Sequence, residues 1–260
     1  MSPQCNGRRQ TDAFCTIDHI MQTDTISTMR IGILLLAAGS GSRFGGDIPK
    51  QYVEVAGQAI ILHTLASLAA ESRIAVVQPV LAAGDEHFAA LVEDKHYPFE
   101  LLPAVSGGAE RSLSMQRGLD ALPQDVELVA VHDAARPLPS RALLADVLDV
   151  AERYGAAVPG VAVVDTIKRI DANGKVLQTL QRNTLRAVQT PQVARRVWFE
   201  QALQQETGSL HKHTDDASLL EAAGFDVYMS RGDSRNRKIT TIEDLNWLES
   251  ELQDDGGVTR

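Results

Sequence analysis

Residues 31–45 read IGILLLAAGSGSRFG, a continuous apolar run followed at once by a glycine-rich loop. The run does not alternate between apolar and polar residues, which is typical of a strand buried on both faces of a parallel sheet. The loop has small side chains, so a ligand can lie against the backbone and its phosphate oxygens can accept hydrogen bonds from converging N–H groups. These small residues are Ala37, Ala38, Gly39 and Gly41.

Two positive charges accompany the loop. Arg43 lies within it, and Lys50 follows a turn at Pro49. The spacing matches neither the Gly-x-x-x-x-Gly-Lys-Ser/Thr phosphate loop nor the Gly-x-Gly-x-x-Gly dinucleotide motif with its acidic partner about 20 residues later. Glycine-rich turns after a first strand occur in many doubly wound folds. The loop alone therefore leaves both phosphate binding and an ordinary turn open.

Strand and helix patterns alternate through the rest of the chain. Strands that are separated by helices of this size imply right-handed crossovers and a parallel sheet. The predicted fold is α/β: a single Rossmann-like, mostly parallel sheet with flanking helices and a projecting β-hairpin arm. Further strands are predicted at 74–81, 100–105, 127–131, 156–164 and 226–230, and helices at 59–71, 86–93, 111–122, 140–154, 194–206, 215–223 and from 241.

One segment departs from this alternation. Residues 164–170 and 175–180 are β-like stretches joined by Asp171-Ala-Asn-Gly174. Asn-Gly between such stretches is a strong hairpin signal. The hairpin is polar on both faces and buries little in its own domain, so the arm, about residues 164–190, is predicted to project onto another subunit.

Three regions are predicted along the chain. Residues 1–29 are polar and without a sustained period, and we expect them to be a disordered N-terminal extension. Residues 30–253 form one domain, and residues 254–260 form a flexible C-terminus. Arg8 and Arg9 are followed by no apolar stretch of signal-peptide length, so a cytoplasmic location is predicted.

Composition excludes several classes of protein. The 260 residues contain 34 Asp and Glu against 25 Lys and Arg, a formal net charge of −9, whereas a broad nucleic-acid surface needs a basic face. No apolar run approaches the roughly 20 residues of a membrane-spanning helix. The 2 cysteines exclude a disulfide framework. Neither nucleic acid nor membrane is therefore expected as a partner.

Several motifs along the chain together narrow the function. In order and rough spacing they resemble the 2-C-methyl-D-erythritol 4-phosphate cytidylyltransferase family, a group of nucleotidyltransferases. The resemblance spans about residues 30 to 250. Besides the first loop with Pro49-Lys-Gln51, the motifs are Gly107-Gly-Ala-Glu-Arg111, His132-Asp-Ala-Ala-Arg-Pro137, Asp165-Thr-Ile-Lys168, Thr190-Pro-Gln192, Thr214-Asp-Asp216 and Arg237-Lys-Ile-Thr240.

The resemblance implies an activity and a set of functional residues. The implied reaction joins CTP to a polyol phosphate, 2-C-methyl-D-erythritol 4-phosphate, and releases pyrophosphate. The implied catalytic residues are Arg43, Lys50, Arg182 and Lys238. The implied nucleotide-binding residues are Ala37, Ala38, Gly39, Gly41, Gly107, Gly108, Arg111, Ser114 and Asp133, and the implied substrate-binding residues are Arg136, Thr166, Thr190 and Thr214.

A cofactor and an assembly are implied as well. Asp133 ends a predicted strand, at the edge where open α/β sheets bind ligands, and it would hold either the ribose or Mg²⁺. The arm is implied to cross the interface of a homodimer and to supply Arg182 and Thr166 to the neighbouring site. Asp216 and Arg237 depart from the family pattern, where Glu and an aliphatic residue are common.

Three other functions are weighed against this one. A ribitol-5-phosphate cytidylyltransferase shares most of the motifs, but residues 133–136 and 165–168 together favour methylerythritol phosphate. An NAD-dependent dehydrogenase lacks support, since the third glycine and the ribose carboxylate are missing. A non-catalytic nucleotide-binding regulator is disfavoured by the full set of cations.

Overall fold

The computed structural model describes residues 29–39, 48–206, 208, 210 and 213–256, which form a sheet with helices on both faces. The strands are β1 (Ile31–Ala37), β2 (Glu54–Val55), β3 (Gln58–Ala59), β4 (Ile74–Leu81), β5 (Glu100–Leu101), β6 (Val105–Ser106), β7 (Leu128–Asp133), β8 (Ala156–Ala162), β9 (Lys168–Ile170), β10 (Val176–Thr179), β11 (Arg186–Val188), β12 (Gln192–Arg195) and β13 (Tyr228–Arg231). The helices are α1 (Ile60–Leu68), α2 (Phe88–Val92), α3 (Arg111–Ala121), α4 (Arg141–Tyr154), α5 (Arg196–Gln205), α6 (Asp216–Ala222) and α7 (Ile242–Gly256).

The centre of the sheet confirms the predicted fold class. The described residues form a nine-stranded sheet in the order β11-β8-β12-β7-β1-β4-β5, with β13 on β8 and β6 on β4. Strand β1 pairs in parallel with β4 and β7 on its two sides. Six of its seven residues are buried, as the uninterrupted apolar run predicts. Because these strands are parallel, their carboxyl ends meet at one edge of the sheet.

The other half of the sheet contains a strand that was not predicted. Residues 194 and 195 were assigned to a helix, but they end β12, which pairs antiparallel with β7 and β8, and α5 begins at Arg196. The helix prediction was wrong at Ala194 and Arg195, because backbone pairing with two buried strands stabilises these residues more than their helical propensity does. The predicted strand 100–105 is likewise interrupted, and its two ends pair separately with β4.

Hydrophobic cores lie on both faces of the sheet. On one face α1 and α4 pack through residues such as Leu65 and Leu144. On the other face α3, α5 and α6 pack through residues such as Met115 and Phe199. A third cluster joins α7 to β2, and it contains Ile239. The buried core residues run from Ile31 to Leu248, and α7 extends to Gly256, past the predicted domain end at 253.

The predicted hairpin is confirmed as a separate two-stranded sheet. Strands β9 and β10 pair antiparallel and every residue in them is exposed. Asp171 Oδ1 accepts the backbone N–H groups of Asn173 and Lys175 at 2.9 Å each, and Gly174 has a φ of 82°, which disfavours any residue with a Cβ. The arm thus has internal order without a core of its own.

In the described part of the chain, no helix is both long and apolar enough to cross a membrane.

Candidate active site

A cavity of about 270 Å³ lies at the carboxyl ends of β1 and β7. This is the edge where α/β sheets bind ligands, since loops diverge there and helix N-termini face it. Residues from five separate stretches of the chain meet in it. The lining residues are Leu36, Ala37, Ala38, Gly39, Lys50, Gln51, Gly108, Ala109, Glu110, Arg111, Ser114, Asp133, Ala134, Ala135 and Lys238.

Small residues bring two backbone segments together at the cavity wall. A Cβ added at Gly107 would lie 2.5 Å from the Ala38 Cβ and 2.7 Å from the Ser114 Oγ, closer than atoms pack. The backbone N–H of Gly107 donates to the carbonyl of Leu81 at 2.7 Å. Gly107 therefore acts through close approach of the backbone, and the wall itself begins at Gly108.

Ser114 orders the turn before α3. Its hydroxyl accepts the backbone N–H of Gly108 at 3.0 Å and donates to the carbonyl of Glu110 at 3.1 Å. It is nearly fully buried, whereas Gly108 is partly open to the cavity. The side chain that sequence analysis placed on the nucleotide thus also holds the turn that forms the wall.

Asp133 is the centre of a cluster of cations. Its Oδ2 lies 2.7 Å from the Lys238 Nζ and 3.8 Å from the Arg136 Nε, and its Oδ1 accepts a hydrogen bond from Arg111. Burial raises the pKa of Asp133, but the charges of Arg111 and Lys238 outweigh it and hold the pKa well below its usual range. The carboxylate is therefore ionised at every physiological pH and fixes the positions of the surrounding cations.

A second carboxylate completes the grip on Arg111. Asp216, 3% exposed, accepts a hydrogen bond from the second terminal nitrogen of Arg111 at 2.6 Å. Burial raises the pKa of Asp216, while the charge of Arg111 opposes that shift. Asp216 sits at the start of α6, whose N-cap Asp215 also accepts from the amide of Gln192 at 2.9 Å. Helix α6 is thus tied both to α3 and to β12.

Three polar groups, the Thr190 hydroxyl, the His132 ring and the carbonyl of Arg136, form a hydrogen-bonded chain that holds the backbone of Asp133. The Thr190 Oγ1 accepts the backbone N–H of Asp133 at 3.1 Å and lies 3.0 Å from the His132 Nδ1. The His132 Nε2 lies 3.1 Å from the carbonyl of Arg136, so it carries the proton and Nδ1 accepts from Thr190. Burial lowers the pKa of His132 to about 4, which keeps the ring neutral.

Lys50 lines the cavity from a separate segment of the chain, which follows the loop after β1. It begins a short 3-10 turn, Lys50–Tyr52, and its Nζ donates to the carbonyl of Ile239 at 3.3 Å. The next residue, Gln51, is 2% exposed and donates from Nε2 to the carbonyl of Ala37 at 2.8 Å. This bond ties the Lys50 turn to the end of β1. Two lysines, Lys50 and Lys238, therefore meet around the same space.

The described residues do not fit a metal ion held by the protein. They contain no group of three or more His, Cys, Asp or Glu side chains that could hold one. The single candidate ligand, Asp133, already contacts Arg111, Lys238 and Arg136, so a divalent cation there would face three positive groups. Of the two roles predicted for Asp133, contact with the ribose fits these surroundings better than a bond to Mg²⁺.

The structure brings most of the predicted nucleotide-binding residues together and separates some of the others. Thr190 is a correction: its hydroxyl is buried and directed at His132 and Asp133, so it supports the site from behind. Among the predicted residues that the structure describes, Arg136, Thr166, Arg182 and Thr214 do not line the cavity. Arg182 lies on the arm, where its guanidinium donates to the carbonyl of Val164.

Two predicted residues, Gly41 and Arg43, lie outside the described residues. Sequence analysis in turn missed Gln51 and gave Asp216 no role. Gln51 carries a weak signal, since a polar residue next to the Lys50 turn is buried only when it has a partner. The pairing of Asp216 with Arg111 joins residues 105 positions apart, which no local pattern reveals.

The family model for 2-C-methyl-D-erythritol 4-phosphate cytidylyltransferase matches residues 31–254. The chain belongs to this family. The matched residues contain the whole cavity and the arm. The family assignment and the resemblance of the motifs therefore rest on the same stretch of chain, and they disfavour the ribitol phosphate alternative.

Individual relatives agree with the family assignment. The 2-C-methyl-D-erythritol 4-phosphate cytidylyltransferase of Alkaliphilus metalliredigens is 37% identical over 217 residues, which cover 83% of this chain and 90% of the relative. The bifunctional enzyme IspD/IspF of Rhodospirillum rubrum is 40% identical over 229 residues, 87% of this chain. The match spans 58% of that longer relative.

Solved structures share the fold over nearly their full length. The 4-diphosphocytidyl-2C-methyl-D-erythritol synthase of Anaerococcus prevotii has a TM-score of 0.76 at 29% identity, covering 86% of this chain and 99% of its own. The 2-C-methyl-D-erythritol 4-phosphate cytidylyltransferase of Thermus thermophilus has a TM-score of 0.70 at 32% identity, covering 86% of this chain and 100% of its own. Members of the family thus share the arrangement of strands around the cavity.

Proposed function

We propose that this chain transfers CMP from CTP to 2-C-methyl-D-erythritol 4-phosphate and releases pyrophosphate. The observation that carries the proposal is the convergence of Lys50 and Lys238 on one cavity whose wall is the backbone of Ala37 to Gly39. Cations beside exposed backbone suit a triphosphate. Membership of the cytidylyltransferase family supplies the substrate class.

The chemistry requires positioning and charge more than proton transfer. A phosphate oxygen of the polyol phosphate attacks the α-phosphorus of CTP in line, a new P–O bond forms, and the bond to the departing pyrophosphate breaks. The attacking phosphate monoester is already ionised, so no general base is needed. Negative charge spreads over the α-phosphate and the leaving group, which cations stabilise. This agrees with a cavity rich in Lys and Arg.

We assign the stabilisation of the α-phosphate and the leaving group to Lys50, together with Arg43. Lys50 is held from two sides, by its own bond to the carbonyl of Ile239 and by the bond of Gln51 to the carbonyl of Ala37. A charge that is fixed before the reaction stabilises the transition state without further reorganisation. The backbone of Ala37, Ala38 and Gly39 is assigned to the triphosphate.

The opposite wall is assigned to the base and ribose of CTP. The turn at Gly108 is held by Ser114 and leaves main-chain groups free to meet a planar base edge. Arg111 is clamped between Asp133 and Asp216, so its assigned role is to align Asp133 and the start of α3. Asp133 is assigned to the ribose side of the nucleotide.

The polyol phosphate is assigned to Lys238, which lines the pocket, to Arg136, which lies beside Asp133, and to Arg182 and Thr166 from the arm. We infer that the arm acts on the pocket of a partner subunit in a homodimer. The expectation that the hairpin is polar on both faces is wrong in part, because the arm exposes apolar side chains. These side chains support the inference, since exposed apolar surface marks interaction sites. Val164 is 79% exposed, Ile170 56%, Val176 54% and Leu177 53%.

The decisive experiment measures pyrophosphate release by the full chain with CTP and 2-C-methyl-D-erythritol 4-phosphate. We expect turnover with this acceptor and little with ribitol 5-phosphate. Turnover with ribitol phosphate alone would overturn the substrate assignment, and release with neither acceptor would overturn the proposed activity. Titration of Mg²⁺ into the same assay tests the predicted need for a divalent cation. The cytoplasmic location stays a prediction of the sequence.

A further inference from the structure

We propose that Asp244 is a positioning residue that holds Lys238 in the cavity. The proposal rests on the proposed function, because Lys238 is the group through which Asp244 would act. Lys238 lies in an irregular segment, residues 236–241, between β13 and α7. We call it the Lys238 segment. Because no helix or strand fixes it, its position depends on specific contacts at its two ends.

The upstream end of the Lys238 segment is anchored on buried residues of the site. The carbonyl of Asn236 accepts from Arg136 at 2.8 Å, and the Asn236 side chain donates to the carbonyl of Thr190 at 2.7 Å. The backbone N–H of Ile239 then donates to the carbonyl of Ala135 at 2.8 Å. These bonds hold the residues before and after Lys238 against the end of β7.

The downstream end is held by one buried carboxylate. Asp244 Oδ2 accepts from the backbone N–H and hydroxyl of Thr240 at 2.7 and 2.9 Å, and from the backbone N–H of Thr241 at 2.9 Å. Asp244 Oδ1 pairs with Arg237 at 2.6 Å. A single side chain thus grips the Lys238 segment on both sides of Lys238.

Burial and charge make this grip strong. Asp244 is 2% exposed. Burial raises its pKa, but the hydrogen bonds from Thr240 and Thr241 and the charge of Arg237 outweigh it, so the net pKa is lowered and the carboxylate is ionised. The Arg237 guanidinium also lies over the ring of Trp247, 5.5 Å from its centroid. Arg237 stands where the family resemblance implies an aliphatic residue.

The consequence for Lys238 is geometric. Its Nζ meets Asp133 at 2.7 Å while Lys50 bonds to the carbonyl of the next residue, Ile239. A shift of the Lys238 segment would therefore displace Lys238 and loosen Lys50 together. A misplacement of about 1 Å in a reacting geometry can cost about 10²-fold in rate.

A purely structural role for Asp244 makes a different prediction. Asp244 lies in the first turn of α7 and accepts the N–H of Thr241, the residue before the helix, which is half of a capping box. The cap uses Oδ2, whereas Arg237 uses Oδ1. Replacing Asp244 by Asn keeps an acceptor for the cap and presents an NH₂ group to Arg237. Arg237→Met breaks the same pair and leaves the cap intact.

The kinetic test compares Asp244→Asn, Arg237→Met and the control Glu249→Gln, which removes a charge from an exposed position of the same helix. We expect kcat to fall about 10- to 10²-fold in the first two variants, with the KM for CTP nearly unchanged. Glu249→Gln should stay within about twofold. A normal kcat in both Asp244→Asn and Arg237→Met would overturn the proposal. If Asp244→Asn does not fold, Arg237→Met decides alone.

A mutant cycle and a substrate-free measurement complete the test. On a Lys238→Met background, Asp244→Asn should lower the residual rate by a smaller factor than in the wild type, because the contact of Lys238 is already lost and that of Lys50 with Ile239 is left to disturb. An equal loss on both backgrounds would show that Asp244 does not act through Lys238. Acetylation of Lys238 by acetic anhydride, followed by peptide mass spectrometry, should be at least about twofold faster in Asp244→Asn and Arg237→Met. An unchanged rate of acetylation would contradict the role of Asp244. Acetylation can be measured even if the wild-type protein releases no pyrophosphate, and that second outcome would refute only the proposed function.

Discussion

The cavity and the arm of this protein are built in opposite ways. The cavity is held by buried charges: Asp133 is 6% exposed and Asp216 3%, and each pairs with Arg111. The arm has a short turn, residues 171–175, and a few hydrogen bonds, and Val164 at its base is 79% exposed. A cavity held in this way is preorganised within one chain, whereas the arm has no core of its own. In the homodimer proposed above, nucleotide binding belongs to one subunit and acceptor binding is shared between two.

The largest effect is expected at Lys50. Lys50→Ala should lower turnover about 10²- to 10³-fold, because it removes one preorganised charge at the α-phosphate. CTP binding should survive, since the backbone wall and Asp133 are unchanged. Steady-state pyrophosphate release and CTP binding by calorimetry measure the two properties. Near-normal turnover would show that the charge of Lys50 does not stabilise the transition state. Glu54→Gln, which changes an exposed residue near Lys50 in the sequence, serves as the control.

Mixing two inactive variants tests whether the arm acts on the partner subunit. Lys50→Ala has a damaged pocket and an intact arm, and Arg182→Ala has the reverse. In a mixed dimer, one of the two sites combines the intact pocket with the intact arm. After subunit exchange at equal concentrations, we expect recovery of about a quarter of wild-type activity, since half of the dimers are mixed. Absence of recovery, with mixed dimers verified by mass, would place the arm on its own pocket.

The stability that the buried His132 and its hydrogen bonds provide should be sensitive to acid. The pKa of His132 is lowered to about 4 by burial, below its ordinary 6.5, so the folded state resists protonation of the ring. The stability that depends on neutral His132 is thus present above pH 6.5 and lost as the pH falls through about 4, by about 3 kcal/mol. Urea unfolding between pH 7 and pH 4 measures the slope. His132→Gln should flatten it, and an equal slope in both proteins would assign the effect to other groups.

The smallest effect is expected on the arm surface. Lys168 donates to the hydroxyl of Thr179 at 2.7 Å, but both residues are exposed. Lys168→Ala should change the melting temperature by no more than about 1 °C, because exposed polar contacts contribute little to stability. Thermal unfolding at neutral pH provides the measurement. A larger loss would mean that the arm packs against something in the unliganded protein.

The central half of the fold could be predicted from the sequence because its signals are local. An apolar run of strand length predicts β1, and Asn-Gly between two β-like stretches predicts the arm. The predictions failed where stability comes from distant pairing. Strand β12 has only four residues and is stabilised by β7 and β8, which lie far from it in the sequence.

The candidate site shows the same division between local signals, which the sequence reveals, and distant contacts, which it does not. Lys50 and Lys238 were identified from motifs, and the structure places both in one cavity. Their supports could not be identified, because Asp216 reaches Arg111 across 105 positions and Asp244 acts on the segment that precedes its helix. Thr190 was assigned to substrate for a related reason. A hydroxyl beside a motif looks the same in sequence whether it faces a ligand or the interior.

The antiparallel strand β12 has a consequence for where the arm begins. It lies between β7 and β8 and opposes both, so these two strands point the same way. Strand β8 therefore ends on the same rim as Asp133, and the chain that leaves it enters the arm there. In the homodimer proposed above, the exchanged segment would therefore leave its own chain at the rim that carries Asp133. The polarity of one short strand fixes this starting point.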